Sequence, residues 1–301
     1  MKSKAFDVRI GPWPAGIVNA IPREHLPFMN REGSMSALYD AVNVDISRTG
    51  EVQRRPSWDE VAPANAHSIF EYAGTTWAVV DDDLVELLDG GTTLVKAAVG
   101  SRIAWTVLNN EPVFATNTGV YYLRNGAAVQ VDGTEYDEDS DRVLAPLPGG
   151  TSIHAWNGRL VLARGTSLYF SEPLNYGYYD TATGVLPLGG RISWMLAVAG
   201  GIYACVRGDV YFLAGTVPEA LALRKVDTKV WEGAGTLIPV SDSTEGQGDY
   251  LAVWFGTKGF VVGDQQGGIK RQQQGRIADL PQSKGYLSYT NGKVILVEEN
   301  Y

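Results

Sequence analysis

An all-β fold built as a β-propeller is predicted by three features of this sequence. The first is composition: 35 glycines, 15 tyrosines and 8 tryptophans in 301 residues favour strands joined by tight turns. The second is a hairpin pattern that recurs along the chain. The third is the spacing of that pattern, which matches the length of a four-stranded propeller blade. No helical apolar period of useful length competes with these features.

Each copy of the pattern is an apolar strand that ends at an anchor residue, a polar or glycine-containing turn, and a second apolar pair. In the complete copies this second pair begins five residues after the anchor, as in a hairpin of two short strands. The six anchors are Val79, Ala115, Ala163, Cys205, Phe255 and Val297. They lie 36 to 50 residues apart, which predicts six blades, with five as the alternative.

A preceding strand also recurs, at residues 103–105, 153–156 and 192–194. It places Trp105, Trp156 and Trp194 at repeat-equivalent positions, where core packing is favoured over stacking on a sugar. Asn157-Gly158 and Asn291-Gly292 are typical of the tight turn between this strand and its hairpin.

The sixth copy stops at Tyr301, before its outer strands. Residues 43–46 and 51–54, within the stretch 37–65, are predicted to supply these strands and so to close the ring and remove two exposed sheet edges. The propeller then spans residues 37–301. Residues 1–36, with four prolines, are predicted to form an extended arm that packs on its own domain or on a neighbouring subunit.

Four segments carry a family resemblance. They are residues 10–17 (IGPWPAGI), 37–45 (ALYDAVNVD), 50–56 (GEVQRRP) and 165–173 (GTSLYFSEP). The first three resemble the opening of tailed-bacteriophage virion proteins, and the last is similar to a segment of the same proteins. The chain most resembles the propeller-containing tail nozzle proteins of short-tailed phages, also called tail tubular or packaged-DNA-stabilising proteins.

The resemblance implies a structural virion protein in a hexameric ring below the portal and adaptor, with genomic double-stranded DNA retained by and ejected through the bore. Assembly in the host cytoplasm and a final place in the phage tail follow from the same resemblance. Nozzle proteins are longer than this chain, with platform or tip domains beside the propeller, so the position in the virion is left open.

The charge and the titratable residues predict no enzyme, cofactor or metal. The net charge of −9 argues against gripping a nucleic-acid backbone, although a duplex could slide past. Cys205, the one cysteine, allows no internal disulfide and occupies a core anchor position, and His154 is expected to be a satisfied structural histidine. No stretch approaches the ~18 apolar residues of a membrane helix, and no secretory signal is expected.

Hydrolytic propellers need two carboxylates about 5–10 Å apart at the mouth of the channel. The predicted innermost strands, at 68–70, 102–104, 152–154 and 191–193, hold no Asp or Glu. The competing non-enzymatic function is a carbohydrate-binding propeller, lectin-like or receptor-binding, in which aromatic rings would stack on sugars.

Three surface groups are candidates for contacts. A tyrosine-rich loop and a basic hairpin tip are candidate protein interfaces, although packing under its own blade is an equal expectation for the tyrosines. An acidic run between blades two and three is either a solvated connection or a negative rim that keeps exiting DNA from adhering. The interface residues are Tyr176, Tyr178, Tyr179, Lys270, Arg271 and Arg276. The rim residues are Asp132, Glu135, Asp137, Glu138, Asp139 and Asp141.

Overall fold

A computed structural model describes residues 44–46, 52–54, 65–100, 102–131, 135–137, 142–240, 250–271, 283–290 and 293–298. Within these ranges the regular elements are β-strands, apart from one short 3-10 helix at Pro218–Ala220. The described residues contain no α-helix, and none of their helices has the length and apolar character needed to cross a bilayer. The all-β prediction is confirmed.

Five four-stranded antiparallel sheets follow one another along the chain, and a hairpin follows the fifth. Sheet 1 consists of β3 (His67–Tyr72), β4 (Thr75–Val80), β5 (Asp83–Leu88) and β6 (Gly91–Lys96), and sheet 2 of β7 (Ala104–Leu108), β8 (Glu111–Ala115), β9 (Val120–Arg124) and β10 (Ala127–Gln130). Sheet 3 consists of β13 (Ser152–Trp156), β14 (Arg159–Arg164), β15 (Ser167–Phe170) and β17 (Val185–Pro187), and sheet 4 of β18 (Ile192–Val198), β19 (Gly201–Val206), β20 (Asp209–Ala214) and β21 (Ala222–Thr228). Sheet 5 consists of β22 (Val230–Pro239), β23 (Tyr250–Gly256), β24 (Gly259–Gly263) and β25 (Ile269–Arg271), and the hairpin, which we call sheet 6, consists of β26 (Gly285–Thr290) and β27 (Lys293–Glu298).

The recurring hairpin is confirmed in register as well as in position. In each four-stranded sheet the anchor lies in the second strand and pairs with the residue five positions later in the third strand. The five pairs are Val79↔Leu84, Ala115↔Val120, Ala163↔Leu168, Cys205↔Val210 and Phe255↔Phe260. The anchors are buried, because each lies in an inner strand of its sheet and packs in the core.

Five apolar clusters lie between successive sheets, one at each junction from sheet 1 to sheet 6. Val79 and Phe114 belong to the first cluster, Ala115 and Leu162 to the second. The third and fourth join sheet 3 to sheet 4 and sheet 4 to sheet 5. The fifth packs Phe255 of sheet 5 against β26 and β27. This stack of sheets, each sharing a core with the next, is propeller-like.

Backbone hydrogen bonds repeat at four of these junctions. In each, the turn between the second and third strands accepts a bond from the segment that enters the next sheet. The bonds are Val99 N to Asp82 O (2.8 Å), Gly150 N to Thr116 O (2.7 Å), Ile192 N to Gly165 O (2.8 Å) and Val230 N to Gly208 O (2.9 Å). These turns and entry segments therefore share one side of the molecule, which we call the entry face.

The Asn157-Gly158 turn is confirmed. It joins β13 to β14 with a positive φ at both residues, +46° and +74°, as a two-residue hairpin of the type I′ kind requires. The Asn157 side chain also donates to the carbonyls of Ala199 and Thr216 in sheet 4. Asn291-Gly292 lies outside the described residues.

A three-stranded sheet was not predicted. It consists of β11 (Glu135–Asp137), β12 (Arg142–Pro146) and β16 (Tyr178–Asp180), in the order β11-β12-β16. Because β16 leaves sheet 3, the fourth strand of that sheet is β17.

The strands predicted at 43–46 and 51–54 are confirmed as a hairpin. They are β1 (Val44–Ile46) and β2 (Val52–Arg54), which pair antiparallel with each other. The extended arm predicted for residues 1–36 lies outside the described residues.

Candidate functional site

The first strands of successive sheets pack against one another. β7 contacts β13, β13 contacts β18, β18 contacts β22, and β22 contacts β26. No continuous backbone ladder joins them, so the remaining polar groups of these strands must find other partners. Side chains supply many of these partners.

The indole N–H groups of two tryptophans bridge neighbouring first strands. Trp105 donates to the carbonyl of Ser68 in sheet 1 at 2.8 Å, and Trp194 donates to the carbonyl of Trp231 in sheet 5 at 3.3 Å. Each indole therefore satisfies a main-chain acceptor that has no ladder partner on that side. These bonds fix one sheet to the next.

One face of β13 binds the backbone of β18. Ser152, His154 and Trp156 alternate along β13 and so point to the same side. The Ser152 hydroxyl and His154 Nε2 both donate to the carbonyl of Met195, at 3.1 and 2.8 Å, and the Trp156 indole donates to the carbonyl of Val198 at 3.1 Å. The junction between sheets 3 and 4 is thus closed by three side chains of one strand.

The tryptophans share this role but not a register. Trp105 lies opposite Phe114, Trp156 opposite Arg159, and Trp194 opposite Cys205. Cys205 is the anchor of its sheet, whereas Phe114 and Arg159 come before the anchors of their sheets. The prediction that the three tryptophans occupy repeat-equivalent positions is therefore wrong. Packing at these positions agrees with the expectation: Trp156 and Trp194 are buried, and Trp105 is stacked on Phe70 with ring centroids 4.8 Å apart.

His154 is held as a neutral ring. A carbonyl oxygen can only accept, so the bond to Met195 places the proton on Nε2. Burial lowers the pKa of His154 to about 4, and the bond to the Met195 carbonyl offsets only part of that effect. The structural role predicted for His154 agrees with this bond.

Cys205 lies in the core. Its side chain is fully buried in the cluster between sheets 4 and 5. Burial raises the pKa of its thiol to about 11, although a hydrogen bond with the Ser193 side chain works in the opposite direction. A thiol with a raised pKa is a poor nucleophile at neutral pH, so the prediction of a core residue is confirmed.

Arg102 lies two residues before β7 and contacts the last sheet. Its guanidinium lies 3.5 Å from the ring centroid of Tyr286 in β26, a cation–π contact that joins sheet 2 to sheet 6. Beside it, burial and then the Arg102 charge lower the pKa of His67 in sheet 1. The sequence showed Arg102 at the start of an inner strand but gave no signal of its aromatic partner in sheet 6.

The three loop tyrosines pack within the chain. Tyr178 is buried, and Tyr176 and Tyr179 lie against the cluster between sheets 2 and 3. Tyr179 also meets Tyr169 edge to face, with centroids 5.3 Å apart. Of the two predictions for these tyrosines, a protein interface and packing under their own blade, the geometry matches the second.

The basic hairpin tip is divided by the structure. Lys270 is exposed on β25, whereas Arg271 forms an ion pair with the buried Asp227 of β21 at 2.5 Å. Asp227 also accepts from the Trp254 indole at 2.8 Å, so this carboxylate joins sheets 4 and 5. Arg276 lies outside the described residues. The charge of Arg271 is therefore used inside the chain, and Lys270 remains a candidate contact.

Most of the proposed acidic rim lies outside the described residues, namely Asp132, Glu138, Asp139 and Asp141. The backbone of Glu135 and Asp137 belongs to β11, which pairs with β12. This part of the run therefore forms a strand, and both the solvated connection and the negative rim stay predictions.

A charged group that the sequence did not reveal joins the three-stranded sheet to sheet 3. Arg142 of β12 binds Glu172 at 2.9 Å and lies 4.0 Å from Asp180 of β16. Burial alone would raise the pKa of Asp180. Hydrogen bonds from Ala182 and Thr183, with the Arg142 charge, outweigh it and lower that pKa. Within the described ranges, no group of three or more His, Cys, Asp or Glu residues could hold a metal ion.

The chain matches no protein-family model and no curated protein. Among solved structures it is similar to the extracellular domain of a two-component system from B. thetaiotaomicron, at 15% identity and a TM-score of 0.46, over 79% of this chain and 33% of that one. It is also similar to an auxiliary nutrient binding protein from Bacteroides ovatus, at 12% identity and a TM-score of 0.44, over 71% and 61% of the two chains. AztD from Citrobacter koseri gives 12% identity and a TM-score of 0.42, over 77% and 65%. The chain thus spans about a third of the first of these proteins and less than two thirds of the others.

Proposed function

We propose that this chain is a structural virion protein of a tailed bacteriophage, a tail nozzle or head–tail connector component. Several copies form a ring, expected to be a hexamer, that joins portal, adaptor or other tail proteins. Genomic DNA is retained by and leaves through its bore without sequence-specific contacts. The protein acts by shape and by association and not by catalysis.

The observation that carries this proposal is the family-like segment 165–173. It begins in the turn before β15 and ends in a polar joint. Ser171 is buried, and its hydroxyl accepts from the backbone N–H of Leu160 at 2.8 Å. Glu172 accepts from Arg142. The segment therefore has an architectural use, since it ties sheet 3 to the inserted three-stranded sheet.

The proposal includes a closed, six-bladed propeller in each copy. In this propeller β1 and β2 complete sheet 6, and sheet 6 covers sheet 1. Two features support closure. Ile69 and Leu94 on sheet 1 are 57% and 58% exposed, while their neighbours Phe70 and Val95 pack towards sheet 2. Sheet 1 thus has an apolar face without a described cover. The contact of Arg102, in the segment that enters sheet 2, with Tyr286 also brings sheet 6 close to the start of the stack of sheets.

Deleting the gene from the genome that carries it tests the proposal. Particles made without the chain are expected to lose packaged DNA and infectivity, and supplying the wild-type chain from a plasmid should restore both. The proposal would be contradicted if particles made without the chain kept normal DNA content and infectivity, and if mass spectrometry found none of this protein in particles made before the deletion.

A further inference from the structure

Five cations form a continuous arc on the entry face. They are Arg164, Arg191, Arg207, Lys229 and Lys258, all exposed. Each lies at a hairpin turn or at the entry to a first strand, in sheets 3, 4 and 5. In the part of the chain that the structure describes, none of the five takes part in an ion pair.

Backbone bonds hold the arc together. Arg207 N donates to the Arg191 carbonyl at 3.3 Å, and Thr257 N, beside Lys258, donates to the Lys229 carbonyl at 3.2 Å. The junction bonds at Gly165 and Gly208 link these pairs to the Arg164 turn and to one another. The backbone positions of the five residues are therefore fixed relative to one another before any partner binds.

Nearby acids do not cancel the arc. Asp209 is occupied by Lys225 at 2.7 Å and by the Thr228 hydroxyl at 2.6 Å, which lower the pKa of its carboxyl and keep it ionised. Asp227, two residues before Lys229, is paired with Arg271, and Glu232 is exposed. Five unpaired cations against one such acid leave a positive surface.

The negative charge of the protein lies elsewhere in the same chain. Residues 65–141 contain thirteen Asp and Glu against three Lys and Arg, which gives −10, whereas residues 142–301 contain thirteen acids against fourteen bases. On sheet 1 the exposed acids include Glu71, Asp81, Asp82 and Asp89. Asp82 belongs to the entry face, because its carbonyl accepts the first junction bond.

We propose that the basic arc of one copy contacts the acidic sheet 1 side of a second copy. Such a contact is heterologous, joining two different surfaces, and it generates a closed ring when the rotation between copies closes. The inference deepens the proposed ring by naming its contact surfaces, and it rests on that function only for the ring's place in a virion. Duplex DNA is the competing partner for a basic surface, but the complementary acidic surface is present in the chain itself.

The test is sedimentation velocity of the full chain at increasing protein concentration, from about 0.01 M to about 1 M salt, over which the Debye length falls from ~30 Å to ~3 Å. The wild type should associate at low salt and dissociate at high salt. Each exposed charge contact contributes up to about 5-fold in the association constant. The double reversal Arg191→Glu/Arg207→Glu should therefore weaken association by about 10-fold or more. The control Arg224→Glu, at an exposed cation of β21 outside the arc, should leave association nearly unchanged.

A charge-swap mixture decides the assignment. Asp81→Lys/Asp82→Lys alone should weaken association in the same way. Mixing it with the arc variant should restore association, because each basic surface again meets an acidic one. A wild type that stays monomeric at low salt, or a mixture that does not recover, overturns the inference. Binding of a DNA duplex is measured by fluorescence anisotropy. If the arc variant and the control variant bind the duplex equally well, the contact between copies is supported. If only the arc variant loses duplex binding, the arc is a DNA-binding surface and the proposed contact is overturned. Neither result bears on whether the chain is present in virions, which the gene deletion tests separately.

Discussion

The neutral ring of His154 makes the stability of the protein depend on pH. The folded chain holds the pKa of this imidazole at about 4 because the ring is buried, whereas an unfolded chain protonates it near pH 6.5. Protons therefore bind the unfolded state preferentially, and the contribution of His154 to stability falls as the pH drops from about 6.5 to about 4.

The magnitude follows from the two pKa values. Between about pH 7.5 and about pH 5, the lost contribution is about 2 kcal/mol. His154 as a whole residue is only partly buried, and solvent relaxation there reduces the effect to about 1–2 kcal/mol. In the variant His154→Gln the amide can still donate to the Met195 carbonyl, but it does not titrate.

Urea unfolding of the wild type and of His154→Gln, followed by tryptophan fluorescence at several pH values, measures the effect. The difference between the two free energies of unfolding removes the contributions of His67 and of the carboxylates, because both proteins contain them. That difference should shift by about 1–2 kcal/mol against the wild type on going to about pH 5. Parallel pH profiles would refute the neutral, buried ring.

Three further substitutions test the joints between sheets by denaturant unfolding. Asp227→Ala should lower the free energy of unfolding by about 2–3 kcal/mol, because it leaves partly buried Arg271 without its counter-charge. Arg271→Ala and the double variant complete a mutant cycle, and a double variant whose loss equals the sum of the two single losses would argue against the pair. Trp194→Phe should cost about 1 kcal/mol through an unsatisfied carbonyl, and no change would show that the long indole bond adds nothing. Gly149→Ala should lower the free energy of unfolding by about 1–3 kcal/mol, because its Cβ would lie 2.2 Å from the backbone of Asn117, in the turn between β8 and β9. Gly91→Ala, with open space around the new Cβ, is the matched control, and equal effects of the two would contradict the close approach.

The repeating hairpins could be predicted because their signal is local. An anchor and its partner lie five residues apart, as Val79 and Leu84 do, so one turn fixes both the pairing and the buried face. The Asn157-Gly158 turn was predictable for the same reason, since those residues tolerate the positive φ that the turn needs.

The tryptophan register was not predictable, because a bulge shifts a strand without changing its composition. Such an irregularity lies between Ile192 and Trp194 in β18, and it brings the indole opposite the anchor. The three-stranded sheet was missed because β11 and β16 have three residues each, too few to show alternation. Only the longer spacing from Ala115 to Ala163 indicated extra residues there.

The candidate surfaces were the least predictable part. Lys270 and Arg271 are adjacent in sequence, yet one is exposed and the other is paired with a carboxylate from another sheet. The basic arc has no sequence motif, since its members are brought together only by the stacking of turns on the entry face.

Cryo-electron microscopy of the intact particle tests the central claim most directly. We expect several copies of this chain in a ring on the head–tail axis. In each copy β1 and β2 should lie beside β26 and β27, and the basic arc should lie against sheet 1 of the neighbouring copy. A map without the chain, or one in which the first and last sheets stay apart as an open stack, would contradict it.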